Sequence, residues 1–178
     1  GIEDIAMTTN GLGLAEYASE LGRAGLKRVT VSLDSITAQT YRWITRGGDV
    51  RAVLAGIEVA AGANLDPIKL NTTLLRGIND NEAVDLVEFA ISRGFRLRFI
   101  ELMPIGEGAK EFKRWFISSQ EVLERLGQEL QIKALPRKAG STSREFSVKT
   151  PNGQTGIIGV ISSASQPFCT DCNRLRLT

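Results

Sequence analysis

Apolar and polar residues alternate with a period of two in four stretches of the chain. In "RVTVSLD" (28–34), Val29, Val31 and Leu33 alternate with Thr30, Ser32 and Asp34. Successive side chains of a strand point to opposite faces, so the two sets face apart. In "IKLNTTLL" (68–75), Ile68, Leu70 and Leu74 oppose Lys69, Asn71 and Thr73. Thr8 and Asn10 share a face of "DIAMTTN" (4–10), and Arg96 and Arg98 share one of "RLRFIELM" (96–103). Between these stretches the period becomes helical. Leu14, Ala18 and Leu21 fall at i, i+4, i+7, Val84, Val87 and Ile91 at i, i+3, i+7, and Val50, Val53, Leu54 and Ile57 form a similar stripe. Gly25 and Gly94 follow the first and last of these helices, where a left-handed cap belongs. Asn79–Asn81 supply N-cap chemistry before the last. Strands alternating with helices predict an α/β fold with a parallel sheet.

A parallel strand covered on both sides should be apolar on both faces. These four are apolar on one face only. A closed barrel with a packed interior would place branched apolar residues inside. The pattern instead predicts a partial, incomplete parallel βα barrel, with helices outside and a polar ligand inside. Ligands in such folds gather at the C-terminal ends of the strands, where Asn10, Asp34 and Met103 lie. The competing reading is a two-layer sheet with one solvated face, on which Lys69 simply snorkels.

After Pro104 the rhythm changes. "IGEGAKEFKRWFISS" reads as a loop, and "SSQEVLERLGQEL" as a helix with Ser118 as N-cap and Glu121 completing a capping box. Three strand-like pieces follow, "LQIKAL", "REFSVKT" and "TGIIGVISS", with a turn at "PNG" (151–153). A soft boundary near Pro104 separates residues 1–103, part of a barrel, from a smaller α+β elaboration at 104–178.

Composition narrows the chemistry. The 178 residues carry a net charge of only +2, which argues against a dedicated nucleic-acid surface. No run approaches a membrane span, and the first residues lack the pattern of a secretory signal. Two cysteines make no disulfide scaffold, so a reducing cytoplasm is the expected compartment. There is no histidine, which removes the usual general base and the commonest zinc ligand. Chemistry must come from Cys, Lys, Arg and carboxylates, or from a cofactor.

Both cysteines, Cys169 and Cys172, stand in "FCTDCNRLRLT". A C-x-x-C pair fits a redox motif, a zinc knuckle or part of an iron–sulfur site. The alternating Arg and Leu that follow look extended and do not resemble the helix of a thioredoxin motif. Two thiols are half of either metal site. Arg174 and Arg176, if extended, point to one side and form a fork for phosphate; a solvated strand face with Leu175 and Leu177 inward is the plainer alternative.

Taken in order and spacing, "TTNG", "VSLD", "KLNTTLLRGINDNE", "RFIELMP" and "FCTDCNRLRLT" closely resemble the molybdenum cofactor biosynthesis protein A family. These are the radical S-adenosylmethionine enzymes called GTP 3′,8-cyclases. The resemblance implies an incomplete six-stranded barrel with two [4Fe–4S] clusters. One cluster reduces S-adenosylmethionine to a 5′-deoxyadenosyl radical, which abstracts a ribose hydrogen from GTP before the ribose closes onto C8 of guanine. It implies Cys169 and Cys172 as ligands of the second cluster, whose third ligand falls outside these residues. Thr8, Lys69, Arg174, Leu175 and Arg176 are implied as GTP contacts, and Ser32 and Met103 as S-adenosylmethionine contacts. Asn71 and Arg98 are companions from the same polar interior. Strict alternation puts Met103 on the face opposite Arg98, so its role requires the strand to end or bend there. The implied partners are GTP, S-adenosylmethionine, an electron donor and a downstream cyclic pyranopterin synthase. The protein is expected to be a monomer or homodimer, with neither nucleic acid nor membrane as partner.

The family's C-x-x-x-C-x-x-C motif and its "GGEP" stretch are not found in these residues. The chain therefore resembles an interior segment with four of six barrel strands and two of six cluster cysteines, and is expected not to generate a radical by itself. Two other functions compete: a non-radical barrel enzyme using Lys69 as an amine nucleophile on a phosphorylated metabolite, and a binding module whose C-x-x-C knuckle is completed by zinc and a partner.

Overall fold

The computed structural model describes residues 1–138 and 140–166. Its strands and helices in chain order are β1 (Ile5–Thr9), α1 (Leu14–Arg23), β2 (Leu26–Ser32), α2 (Ala38–Ile44), α3 (Val50–Gly62), β3 (Lys69–Thr72), α4 (Ala83–Ser92), β4 (Arg96–Ile100), α5 (Glu107–Lys110), α6 (Phe112–Trp115), α7 (Ser119–Leu126), β5 (Gln131–Ala134), β6 (Arg144–Lys149) and β7 (Thr155–Ile161). A 3₁₀ turn, Asp80–Glu82, precedes α4.

All seven strands form one sheet in the order β1-β2-β3-β4-β7-β6-β5. The first five in that order are parallel, and β6 and β5 add an antiparallel hairpin. The sheet is not closed, so the partial barrel is an open one. Its parallel part holds five strands, one more than the sequence alternation gives. The extra strand is β7, which continues the buried layer with Ile158 and Val160 and pairs directly with β4. The smaller region after Pro104 thus shares its sheet with the region before it.

The apolar sets of β2, β3, β4 and β7 form the core, and β1 adds only partly buried Met7. Val29, Val31, Leu33, Leu70, Leu97, Phe99, Ile158 and Val160 are buried together with the inward stripes of α1, α3 and α4. Helices α1 and α3 pack closely because Gly56 leaves no side chain between them. A Cβ there would sit 2.9 Å from the Gly11 carbonyl oxygen and 3.0 Å from Leu14 Cβ. Gly25 and Gly94 adopt positive φ after α1 and α4, as expected.

Four local differences have physical reasons. Asn79 does not cap α4; its side chain is fully buried and staples strand ends instead, as described below. Ser118 Oγ does cap α7, accepting from Glu121 N at 3.2 Å. The reciprocal half of the capping box is replaced, because the Glu121 carboxylate pairs with Arg76 at 2.6 Å and Arg125 at 2.8 Å. The stretch expected as a loop contains two single turns, α5 and α6. There Phe112 stacks on Phe116, and Trp115 meets Trp43 edge-on at 5.8 Å. Helix α2 is too short to show a periodic stripe, and Tyr41 is its one buried residue.

Candidate functional site

The polar residues of the parallel strands lie in rows across one sheet face. In-register pairing links Thr8 to Thr30, Thr30 to Lys69 and Lys69 to Arg96. The next row toward the C-terminal ends runs Ser32, Asn71, Arg98 and Gly159. Neighbouring strands are about 4.8 Å apart, so Thr8 and Lys69 are separated by roughly two such spacings. Thr8 is exposed at the β1 side; Ser32, Lys69, Asn71 and Arg98 are half-buried. Arg98 is held in place: its Nε donates to Asn71 Oδ1 at 2.9 Å. The Lys69 amine has a pKa below the ordinary lysine range, first because it is partly buried and then because Arg98, Arg28 and Arg96 surround it with positive charge. A row of cations of this kind favours a polyanion.

"TTNG" owes its glycine to the exit from β1. Gly11 has φ +82°, and its N–H is accepted by Thr9 Oγ1 at 3.1 Å, while Asn10 Oδ1 accepts Leu12 N at 3.2 Å. The chain turns sharply toward α1 with its turn amides satisfied locally.

At the C-terminal end of β2, Asp34 Oδ1 accepts the Thr73 amide at 2.7 Å. Burial pushes its carboxyl up to about 6, and that one amide offsets only part of the effect. The Tyr41 phenol is pushed up by burial and by the nearby Asp34 charge. Asn79 fastens this corner. Its Nδ2 donates to the carbonyls of Asp34 (2.6 Å) and Thr73 (3.0 Å), and its Oδ1 accepts Leu75 N at 2.6 Å. Buried Glu82 accepts the Ser35 hydroxyl at 2.6 Å and the Ile36 amide at 3.3 Å. The "INDNE" part of the motif is thus a bracket that fixes the loops after β2 and β3.

At the end of β4, Glu101 is buried and takes four donors: Ser119 N (2.7 Å), Ala164 N (2.9 Å), Ser165 N (2.8 Å) and Ser165 Oγ (2.6 Å). Burial pushes this carboxyl up. The Ser165 hydroxyl and the amides of Ser119, Ser165 and Ala164 outweigh it, leaving the pKa below the usual carboxylate range. Sequence reasoning missed Glu101, Asn79 as a staple, and Glu82. A charged residue between Phe99-Ile100 and Leu102-Met103 was the available signal, since an acid in an apolar run must find donors.

Strand β4 ends at Ile100, so alternation does not constrain Met103, which is exposed in the loop beyond it. Cys169, Cys172, Arg174, Leu175 and Arg176 lie outside the described residues. Among the described residues, no cluster of three or more His, Cys, Asp or Glu could hold a metal. No helix among them is long and apolar enough to cross a membrane.

Comparison with known proteins agrees with this geometry. Residues 1–90 match the model of the radical SAM superfamily, and residues 95–178 match that of Molybdenum Cofactor Synthesis C. The chain is 43% identical over its full length to a protein named GTP 3′,8-cyclase from Alkaliphilus oremlandii. It is 41% identical over its full length to the GTP 3′,8-cyclase of Heliobacterium modesticaldum, and 40% identical over 99% of its length to that of Petrotoga mobilis. It spans about half of these relatives, 54% of each. In three dimensions it resembles the crystal structure of a radical SAM methyltransferase from Sphaerobacter thermophilus. The TM-score is 0.51 at 19% identity, covering 70% of this chain and 36% of that one. An open parallel sheet with a polar inner face, matched over half its length by the superfamily model, has one consistent reading: the chain belongs to the radical SAM superfamily.

Proposed function

We propose that the protein acts in the first step of molybdenum cofactor biosynthesis, the cyclisation of GTP to (8S)-3′,8-cyclo-7,8-dihydroguanosine 5′-triphosphate. The observation that carries this reading is similarity over the whole of this chain to GTP 3′,8-cyclases, in a chain whose polar sheet face presents Lys69 beside Arg96 and one row from Arg98. A triphosphate is the natural counter-charge for such a face. In this reading Thr8 and Lys69 hold GTP from the sheet, and Arg174, Leu175 and Arg176 hold it from the chain's C-terminal segment. Ser32 and Met103 hold S-adenosylmethionine near the strand ends. Cys169 and Cys172 are thiolates suited to one of two [4Fe–4S] clusters, and the remaining ligands come from other residues of the protein. Bound cluster and S-adenosylmethionine would supply the one-electron chemistry, which no side chain of this face offers.

This chain's own residues then bind and orient. Asn71 fixes the Arg98 guanidinium, so its charge is preset before substrate arrives. A bound polyanion raises the Lys69 pKa and keeps the amine protonated. The Asn79 and Glu82 bracket holds the loop after β2 beside Ser32. Residues 1–103 form part of the barrel, and 104–178 lead into the second cluster's site. The protein works in the cytoplasm as a monomer or homodimer, takes electrons from a separate donor, and hands its product to a cyclic pyranopterin synthase.

The test is anaerobic turnover of the full-length, cluster-loaded protein with GTP, S-adenosylmethionine and dithionite. Cyclised nucleotide should form together with 5′-deoxyadenosine, and Lys69→Gln should raise the GTP requirement at least tenfold. Formation of 5′-deoxyadenosine that does not depend on GTP, with no cyclised product, refutes the reading.

A further inference from the structure

Beyond β4 the chain doubles back on itself. Leu102 is half-buried, but Met103 and Ile105 expose 42% and 64% of their surface. The Met103 carbonyl accepts the Ile105 amide at 2.8 Å, which closes a tight turn around Pro104. Gly106 then takes φ +56° and ψ −135°, a backbone shape that favours glycine, and the single turn α5 folds back toward the strand end. The fold-back brings Gly108 against the residues that follow Glu101. A Cβ at Gly108 would stand 2.8 Å from the Met103 carbonyl oxygen and 3.0 Å from Leu102 Cδ1. A methyl group cannot remain that close to a carbonyl oxygen, so one side would have to move.

The anchors of the segment decide which side that is. Its far half is tied down. The Arg76 amide donates to the Trp115 carbonyl at 2.9 Å, and Arg76 Nη2 donates to the Phe116 carbonyl at 3.2 Å. Trp115 also meets Trp43 of α2 edge-on. At the neck, Glu101 Oε1 accepts the Ser119 amide at 2.7 Å, so strand end and helix start are fastened together. The turn at Met103 lies between these fixed points, and Met103 is open to solvent. A side chain added at position 108 therefore displaces Met103 and leaves strand β4 and helix α7 where they are.

We propose that Gly108 is a positioning residue for S-adenosylmethionine: its missing side chain lets α5 close on the Met103 carbonyl and so fixes the direction from which the Met103 side chain meets the ligand. The assignment rests on the reading of Met103 as an S-adenosylmethionine contact and adds to it the fold-back that aims this residue. A thioether on a flexible, unbranched stem adapts its shape readily, so the backbone beneath it must supply the direction. Gly108 touches no ligand itself and acts through Met103.

Calorimetric titration of the anaerobically purified full-length protein tests it, with S-adenosylmethionine, S-adenosylhomocysteine and GTP as probes. Gly108→Ala should weaken both adenosyl ligands about tenfold, the cost of a misplaced contact, and leave GTP unchanged. Met103→Ala should weaken the same two ligands. The double variant should bind them no more weakly than the weaker single variant, because both changes remove one contact. A merely structural role for Gly108 would add its cost to that of Met103→Ala, or would weaken GTP as well, and either result overturns the proposal. Unchanged adenosyl affinity in Gly108→Ala, beside weakened affinity in Met103→Ala, overturns the positioning role and leaves the Met103 reading intact. Unchanged adenosyl affinity in Met103→Ala overturns both. If Gly108→Ala yields no folded protein, Gly106→Ala disturbs the same fold-back at its turn and is held to the same cycle with Met103→Ala.

Discussion

Two carboxylates close two parallel strands of the same sheet, and their surroundings differ sharply. Glu101, just past β4, accepts four hydrogen bonds and is held ionised below the usual range. Asp34, two residues past β2, accepts one amide and has its pKa pushed up to about 6. Burial raises both acids, and the number of donors set against it decides which is a fixed anion and which can change charge near neutrality. Glu101 joins three pieces of backbone: the end of β4, the first turn of α7, and residues 163–165. Asp34 marks a corner that Asn79 already holds through backbone carbonyls, so its own carboxyl is spared for titration.

The most disruptive way to break the contrast is Glu101→Ala. It strands four donors, one buried and three partly buried, and unfolding by denaturant should show a loss of about 2–4 kcal/mol from removing a buried, hydrogen-bonded charge. Glu101→Gln keeps the shape but loses charge and acceptor capacity, and should cost about 2–3 kcal/mol. The pH dependence follows from the lowered pKa. The stabilisation from Glu101 is present above its unfolded value, near 4.5, and disappears as pH falls through the lower folded value. In Glu101→Gln that acid-side loss should vanish from a stability–pH curve.

Asp34 should behave with the opposite sign. Its folded pKa is raised, so its favourable share is complete below about 3.8 and is lost as pH rises through about 6. Asp34→Asn keeps an acceptor for the Thr73 amide. At pH 7 the variant should be more stable than the parent by about 1–3 kcal/mol, and the difference should close near pH 4. A variant less stable at pH 7 would mean that the Asp34 charge is wanted in the fold. The smallest effect sharpens the Glu101 side: Ser118→Ala removes the cap of α7, whose first turn supplies the Ser119 amide. It should cost about 1 kcal/mol by thermal unfolding, and combining it with Glu101→Gln should cost less than the sum.

The strands and their polar face were legible because alternation of Val31 and Leu33 with Thr30 and Ser32 is a backbone property that survives any tertiary context. Lys69 and Arg98 could be placed on one face for the same reason. Strand ends were not legible. Asp34 and Glu101 read as strand residues, yet each lies beyond its strand, because loop donors captured its carboxylate. Asn79 looked like a helix cap by type and position, but two carbonyls from different strand ends took its amide. The close approach of Ser143 to Gly159 carried no signal, because chain order does not show which loop settles on which strand.

Strand β4 has β3 on one flank and β7 on the other, so the stretches matched by two different family models are woven through a shared ladder. A cut between them in sequence would not be a cut in space. It would strip one flank of β4 of its main-chain partners and leave both halves with adhesive edges. Swapping the C-terminal portion between relatives is therefore a transplant of half a sheet, and chimeras joined near Pro104 should succeed only where β4 of one parent pairs and packs with β7 of the other.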